Sequence, residues 1–203
     1  MTRQTAAPLD HISLTPSFQS AKWLARRIVE GEITLDPSYQ RGDVWTPDQR
    51  INLVHTWLLG RPAGVVILSD RCNPAWAAAN PGRDPYETPG EPLWACVDGK
   101  QRLTTAVMWF NSEFTIPASW LPADHVGRTE GTDDGPYVRH SGLTEKGVRF
   151  MERYCSLLVG ETKECATEAD EAAFYLVVNG GGSPQSAASM ANAERVRTAG
   201  NTK

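Results

Sequence analysis

The chain has 203 residues, of which 40% are apolar and 22% are charged. This balance excludes a wholly disordered, collagen-like or coiled-coil chain. A net charge of −4 gives no basic field over the whole molecule, so charge alone does not imply nucleic-acid binding, and a local basic patch stays open. The length suits one domain, expected over residues 15–197, between an N-terminal extension (residues 1–14) and a flexible tail (residues 198–203).

Cysteine and histidine spacing argues against the common metal and redox sites. The four cysteines form no C-x-x-C pair, and the four histidines form no H-E-x-x-H motif. Cys96 lies in an apolar run and is expected to be a buried thiol. The N-terminus has no apolar signal segment, and no stretch approaches the ~20 apolar residues of a membrane span, so we expect a cytoplasmic protein without membrane contact.

Apolar periodicity, capping residues and glycine stops predict the elements of the first half of the chain. The clearest helix start is the capping box Thr46-Pro47-Asp48-Gln49, with Thr at the cap and Pro at the first helical position. A stretch rich in Pro, Asn, Asp and Gly after the second strand indicates a mobile surface loop. In chain order we expect a helix at residues 16–30, a strand at 33–35, a helix at 47–59, a strand at 65–68 and the loop at 70–92.

The second half of the chain predicts one more buried strand and four helices. The strand runs directly into a polar turn, and a helix follows at once. In chain order we expect the strand at residues 93–97, a helix through Phe110, a loop-rich region at 112–142, helices at 143–159 and 168–178, and a last helix from Ser183-Pro184 through Val196. A small sheet among many helices indicates an α+β fold.

The most informative segment is Asp98-Gly99-Lys100-Gln101-Arg102, which follows a buried strand and opens a helix. A glycine turn before a helix directs backbone N–H groups and the positive end of the helix dipole at one point, where a phosphate fits. Arg102 can fork onto phosphate oxygens and Lys100 adds a point charge. Asp98 can hold Mg²⁺ or act as a base toward water. The alternative makes Asp98 a helix cap and Arg102 a surface residue.

Two further segments carry residue types suited to a nucleotide. Tyr39-Gln40-Arg41, with Trp45, combines aromatic rings, an amide and a guanidinium, which recognise bases or phosphates. Asn179-Gly180-Gly181-Gly182 permits close backbone approach to a ligand, although it is not a Walker P-loop. Each segment has a structural alternative. Trp45 then packs on the core, and the glycines end one helix before the next one begins.

Together and in this order, the three segments resemble the N-terminal (S-subunit) domain of GmrSD-type modification-dependent restriction enzymes, in the ParB/sulfiredoxin-like superfamily. The resemblance spans roughly residues 15–197. It implies a compact α+β fold, with a small ParB-like mixed sheet surrounded by helices. It rests on Tyr39 to Trp45 with the helix that follows, on Val97 to Thr105, and on Phe174 to Pro184 with the Asn192-Ala193 pair.

The resemblance also implies a nucleotide-binding domain that hydrolyses NTP with the help of Mg²⁺. The family's D-G-Q-Q-R-type motif falls on residues 98–102, where Lys100 replaces the usual Gln. Asp98 and Arg102 are the expected catalytic pair, and Asp98 is the candidate metal ligand. The residues expected to bind the nucleotide are Gln40, Arg41, Gly99, Lys100, Gln101, Thr105, Asn179 and Gly181.

Full restriction enzymes of this type also carry an HNH-like nuclease domain, whose signature we do not find in this sequence. We therefore do not expect the chain to cleave DNA alone. Its expected partners are a nucleotide, DNA in modified or unmodified form, and an HNH-type nuclease acting in trans; a phage-related origin stays open. Two alternatives remain: a non-catalytic, nucleotide-gated module that binds DNA or a nuclease, and a phosphotransferase acting on a nucleotide or a DNA base.

Overall fold

The computed structural model describes residues 8, 11–39, 45–180 and 187–200. None of the helices in these ranges combines the length and the apolar character needed to cross a bilayer. The helices and strands in chain order are β1 (Thr15–Ser20), α1 (Ala21–Val29), β2 (Ile33–Thr34), α2 (Pro47–Leu58), β3 (Val65–Asp70), α3 (Pro74–Ala79), β4 (Trp94–Asp98), α4 (Lys100–Phe110), β5 (Ile116–Pro117), β6 (Glu130–Thr132), β7 (Gly135–Val138), α5 (Glu145–Tyr154), β8 (Ser156–Thr162), α6 (Glu168–Gly180) and α7 (Ala187–Gly200).

Five strands form a central mixed sheet in the order β1-β8-β3-β4-β2. β8 is parallel to β3 and β4 is parallel to β2, whereas β1 pairs antiparallel with β8 and β3 with β4. These directions bring the carboxyl ends of β1, β2 and β4 to the same edge as the amino ends of β3 and β8. We call this the site edge, because the Asp98 segment lies there.

Helices cover both faces of the sheet. On one face, α1, α2, α4 and α5 bury their apolar sides against Val66, Leu68 and Cys96. On the other face, α6 and α7 pack against Ile67 and Val97. Neighbouring residues of β3 and β4 thus point into opposite cores, as side chains of a strand must. Two covered faces explain why these strands are continuous apolar runs. The α+β class and the burial of Cys96 are confirmed.

Residues 16–20, expected to be helical, lie in a strand. β1 pairs antiparallel with β8, from Thr15 opposite Glu161 to Ser20 opposite Ser156. Ser20 caps α1, because its hydroxyl accepts a hydrogen bond from the Trp23 N–H. β1 lies at the edge of the sheet, where a proline that lacks the N–H donor is tolerated.

The prediction of a helix over residues 143–159 is wrong for residues 156–159, which lie in a strand. α5 ends at Tyr154, and β8 begins at Ser156 between β1 and β3. Leu157 and Val159 of β8 are buried. A short run of apolar residues fits either a helix or a strand by spacing alone, and here pairing with strands on both sides decides for the strand.

The two loop-rich regions contain ordered elements that the sequence did not predict. Residues 70–92 are not a surface loop throughout, because they include α3. Asn73 caps this helix by accepting a hydrogen bond from the Trp76 N–H at 2.8 Å, and the Trp76 side chain is fully buried. Residues 112–142 include a second, three-stranded sheet in the order β5-β7-β6.

A buried ion pair joins α6 to the residue that follows β3. Glu171 accepts hydrogen bonds from Arg71 Nε at 3.0 Å and from Arg71 Nη2 at 2.7 Å. The two side chains are 0% and 3% exposed, and the guanidinium lies 4.4 Å from the ring centroid of Trp76. The Tyr39 hydroxyl donates to Glu171 Oε2 at 3.3 Å. Burial, followed by the Glu171 carboxylate, raises the pKa of Tyr39 well above its usual value, so the phenol stays a donor.

Glu171→Gln is expected to lower the free energy of unfolding by about 3–5 kcal/mol, because Arg71 then keeps its charge in a buried setting without its main carboxylate partner. Urea denaturation followed by circular dichroism measures the loss. The matched control is Glu145→Gln, which removes an exposed partner of Arg149 and should leave stability nearly unchanged. Equal losses in the two variants would contradict the role given to the buried pair.

Alkaline pH is expected to destabilise the fold through its buried thiols. Burial raises the pKa of Cys155 to about 12 and that of Cys165 to about 12, from a usual value of 9.0. Above about pH 9 the unfolded chain therefore loses thiol protons that the native state retains up to about pH 12. The free energy of unfolding should accordingly fall as pH rises through this window.

Urea titrations at a series of pH values from about 8 to about 10.5 measure this decline. Each retained proton steepens it by up to about 1.4 kcal/mol per pH unit. Cys155→Ala should therefore show a shallower decline than the unchanged chain. A variant whose stability falls just as steeply would show that this thiol does not contribute.

Candidate functional site

The turn between β4 and α4 depends on a glycine in a left-handed conformation. Gly99 has φ of +96° and directly precedes the first residue of α4. A Cβ at this position would lie 2.8 Å from Val66 Cγ2 and 3.0 Å from Val66 Cα, so any side chain would collide with β3. Gly99 also gives α4 no side-chain cap, which leaves the amino end of the helix suited to an anion.

The Arg102 guanidinium is held close to the Asp98 carboxylate at this turn. Arg102 Nη1 donates to the Val65 carbonyl at 3.2 Å and lies 3.8 Å from Asp98 Oδ2. A Cβ at Gly64 would lie 2.7 Å from Arg102 Nη2 and 2.9 Å from Arg102 Cζ, so the guanidinium packs directly on this glycine. The side chains of Arg102 and Asp98 are 26% and 31% exposed. A cation and a carboxylate are therefore both partly open to a ligand.

The other predicted residues of α4 have different placements. The Lys100 ammonium, whose side chain is 13% exposed, pairs with the Asp36 carboxylate, whose side chain is 85% exposed. Gln101 Oε1 accepts a hydrogen bond from the Trp45 N–H at 3.1 Å. Thr105 is fully buried, and its hydroxyl donates to the Gln101 carbonyl at 2.8 Å. The structure thus places Thr105 inside the domain and not on the open side of the site.

The second predicted segment is anchored on both sides of residues 40–44. Before it, the Tyr39 hydroxyl bonds to Glu171 on α6, and its ring centroid lies 5.7 Å from that of Tyr175. After it, Trp45 bonds to Gln101 on α4. Tyr39 therefore contacts the face covered by α6, and Trp45 contacts the first turn of α4. The predicted site residues Gln40, Arg41 and Gly181 lie outside the described residues.

The third predicted segment lies at the end of α6. This helix begins beside Arg71, beyond the carboxyl end of β3, and its Tyr175 packs in the same cluster as Val97. The helix therefore runs along the sheet toward the site edge. Asn179, in its last turn, donates from Nδ2 to the Tyr175 carbonyl at 3.0 Å. Trp45 therefore contacts the first turn of α4, and α6 packs against Val97, the residue before Asp98.

The donor set fits Mg²⁺ only together with a ligand. Among the described residues, no group of three or more His, Cys, Asp and Glu side chains is arranged to hold a metal ion. Mg²⁺ is usually held by one or two carboxylates and by substrate phosphates, with waters completing its shell. Asp98 can supply one such carboxylate beside a bound phosphate chain.

Two cavities differ in their relation to this site. The larger, of about 550 Å³, lies between α1 and the carboxyl end of α4, beside Trp23 and Phe110. Phe110 is about 15 Å along α4 from the turn at Gly99, so this cavity is remote from the carboxylate and the guanidinium. The smaller, of about 370 Å³, lies along β2 and includes Asp36, the partner of Lys100.

Sequence reasoning missed Gly64 and Asp36 as parts of the site. Gly64 stands immediately before a predicted strand, where a glycine is unremarkable unless its contact with Arg102 is known. Asp36 follows a short predicted strand, and only its pairing with Lys100 across 64 positions of the chain brings it here. Neither contact has a signature in local sequence.

Gly64→Ala is expected to displace the Arg102 guanidinium, because the new methyl group would occupy its place. The control is Gly60→Ala, since Gly60 also has positive φ (+63°) but has open space around its Cβ position. Both substitutions should cost about 1–2 kcal/mol of backbone strain, and Gly64→Ala should cost about 1 kcal/mol or more beyond that. The excess should vanish in an Arg102→Ala background, as measured by a double-mutant cycle in urea. Additive effects would show that the guanidinium does not rest on Gly64.

Comparison with protein-family models matches residues 24–194 to the family described as GmrSD restriction endonuclease, N-terminal domain. Comparisons with curated proteins and with solved structures gave no match. The matched range covers most of the chain and contains the turn at Asp98, the segment around Tyr39 and the end of α6. The resemblance drawn from these three segments is confirmed, and the chain belongs to the family of GmrSD restriction endonuclease N-terminal domains.

Proposed function

We propose that this chain binds a nucleoside triphosphate at the turn between β4 and α4 and hydrolyses it with Mg²⁺, as the nucleotide-dependent part of a restriction system. Membership of the GmrSD family gives the chain a restriction-related role. The observation that carries the nucleotide proposal is the Arg102 guanidinium, held by Val65 and Gly64 beside the Asp98 carboxylate at an uncapped helix amino end.

The charges at the turn suit a phosphate chain. Arg102 and Lys100 are cations on the first turn of α4, where the helix dipole also favours an anion. Lys100 is paired with Asp36, an exposed carboxylate that a phosphate can replace as its partner. Asp98 lies beside Arg102 and carries a negative charge that repels phosphate, so it is suited to the metal or to water.

Hydrolysis at this site consumes one water molecule for each nucleoside triphosphate. A water oxygen attacks the γ-phosphorus, and the bond from this phosphorus to the β–γ bridging oxygen breaks. The products are a nucleoside diphosphate and inorganic phosphate, and the proton of the attacking water passes to solvent. Arg102 stabilises the charge on the transferring phosphoryl oxygens. Mg²⁺, held by Asp98 and the phosphates, would neutralise the charge of the leaving diphosphate.

The other predicted residues make further contacts with the nucleotide in this proposal. Arg41 supplies a second guanidinium to the phosphates, while Gln40 and Asn179 orient the base or the ribose. Backbone N–H groups of residues 99–101 and Gly181 contact the phosphates. The anchoring of Tyr39 to α6 and of Trp45 to α4 supports a role for the intervening segment beside the turn. In the restriction system, modified DNA and an HNH-type nuclease acting in trans are the proposed partners.

Asp98→Asn and Arg102→Ala are each expected to reduce phosphate release by about 100-fold or more, because each removes a charge that the transition state needs. Phosphate release from each of the four common ribonucleoside triphosphates, in the presence of Mg²⁺, measures the effect. Arg149→Ala is the matched control, since Arg149 lies on the exposed side of α5 and its side chain is 74% exposed. Circular dichroism and thermal unfolding confirm that each variant folds. Arg41→Ala and Gln40→Ala test the second segment in the same assay.

Wild-type rates in both Asp98→Asn and Arg102→Ala would overturn the mechanism. Nucleotide binding without phosphate release would favour the non-catalytic alternative, in which the nucleotide gates binding to DNA or to a nuclease. A gel-shift assay on modified and unmodified DNA, with and without nucleotide, then measures that activity. A phosphorylated acceptor detected by mass spectrometry would instead identify a phosphotransferase.

A further inference from the structure

The smaller cavity is separate from the turn at Gly99 but linked to it by one ion pair. It has a volume of about 370 Å³ and lies along the edge strand β2. Its wall is as polar as it is apolar, and Thr34 and Asp36 contribute polar side-chain atoms to it. The side chains that define it are those of Ile28, Ile33, Thr34, Leu35, Asp36 and Pro92.

Asp36 lines the cavity and also pairs with Lys100 at the proposed phosphate site. Its carboxylate pairs with the ammonium of Lys100, the first residue of α4, while its side chain remains 85% exposed. Its backbone N–H donates to Thr34 Oγ1 at 3.3 Å, which fixes the chain where it leaves β2. A ligand whose anionic end is held by Lys100 therefore meets the Asp36 carboxylate where the cavity begins.

The chemistry of the cavity differs from that of the turn. A volume of this size is typical of a small-ligand pocket. The aliphatic side chains in its wall can contact one face of a flat heterocycle, and its carboxylate accepts hydrogen bonds but repels phosphate. In dinucleotide-binding Rossmann folds, a carboxylate near the phosphate site accepts a hydrogen bond from the ribose 2′-hydroxyl, and Asp36 offers the same chemical group here.

We propose that this cavity receives the nucleoside part of the ligand and that Asp36 accepts a hydrogen bond from the ribose 2′-hydroxyl, so that the site selects ribonucleotides over deoxyribonucleotides. The inference rests on the proposed function, since it places the phosphates at the turn beside Gly99. Asp36 then has two successive partners. It holds Lys100 in the unliganded protein, and it turns to the sugar when phosphate takes over the ammonium.

The test compares three kinds of probe by isothermal titration with Mg²⁺ present: the four ribonucleoside triphosphates, their 2′-deoxy forms and inorganic tripolyphosphate. The unchanged chain should bind its preferred ribonucleotide about tenfold or more tightly than the 2′-deoxy form. Asp36→Ala should bring this ratio close to one. Asp36→Asn keeps an acceptor oxygen and should retain part of the preference.

Tripolyphosphate separates the two roles of Asp36. Both Asp36 variants release Lys100, so their affinity for tripolyphosphate should stay level or rise, while Arg102→Ala should weaken it. Asp133→Ala, at an exposed carboxylate in the turn between β6 and β7, is the matched control and should change none of these affinities.

The outcomes distinguish this inference from the proposed function. If tripolyphosphate binds and Arg102→Ala weakens it, but ribose and deoxyribose forms bind equally, the phosphate site stands and the assignment of the cavity is overturned. A ribose preference that survives unchanged in Asp36→Ala also overturns it. If neither tripolyphosphate nor any nucleotide binds the unchanged chain, the proposed function itself fails.

Discussion

The site depends on one close approach, in which two glycines let the start of β3 and the turn after β4 pack tightly together. Gly99 lies against Val66, and Gly64 lies against the Arg102 guanidinium. Both glycines have positive φ, so a conformation that other residues rarely adopt is used where there is also no room for a Cβ. This contact places the carboxylate, the guanidinium and the amino end of α4 at a single edge of the sheet.

The rest of the fold holds further segments near that edge. The buried pair of Arg71 and Glu171 fixes the start of α6 at the opposite end of β3, so the helix runs along the sheet toward the site. Tyr39 bonds to the same carboxylate, and Trp45 bonds to Gln101. A charge pair deep in the domain thus anchors Tyr39. The ion pair thus positions Tyr39 and α6, although well-packed apolar residues of similar volume often stabilise a protein as much as a buried ion pair does.

Sequence reasoning succeeded where local chemistry decides the structure. The capping box before α2 forms as expected, and the turn at residues 98–102 follows its strand and opens its helix. It failed where distant pairing decides. β1 and β8 are strands because they pair with each other, although they are far apart in the sequence. The local spacing of their residues does not predict this pairing. The contacts of Gly64 with Arg102 and of Asp36 with Lys100 could not be predicted from the sequence for the same reason.

The most direct test of the account is a crystal structure of the chain with Mg²⁺ and a non-hydrolysable triphosphate analogue. The account predicts phosphate oxygens within hydrogen-bonding distance of the Arg102 guanidinium and of the first-turn N–H groups of α4. Phosphates found elsewhere, for example beside Trp23 and Phe110 in the larger cavity between α1 and α4, would contradict it.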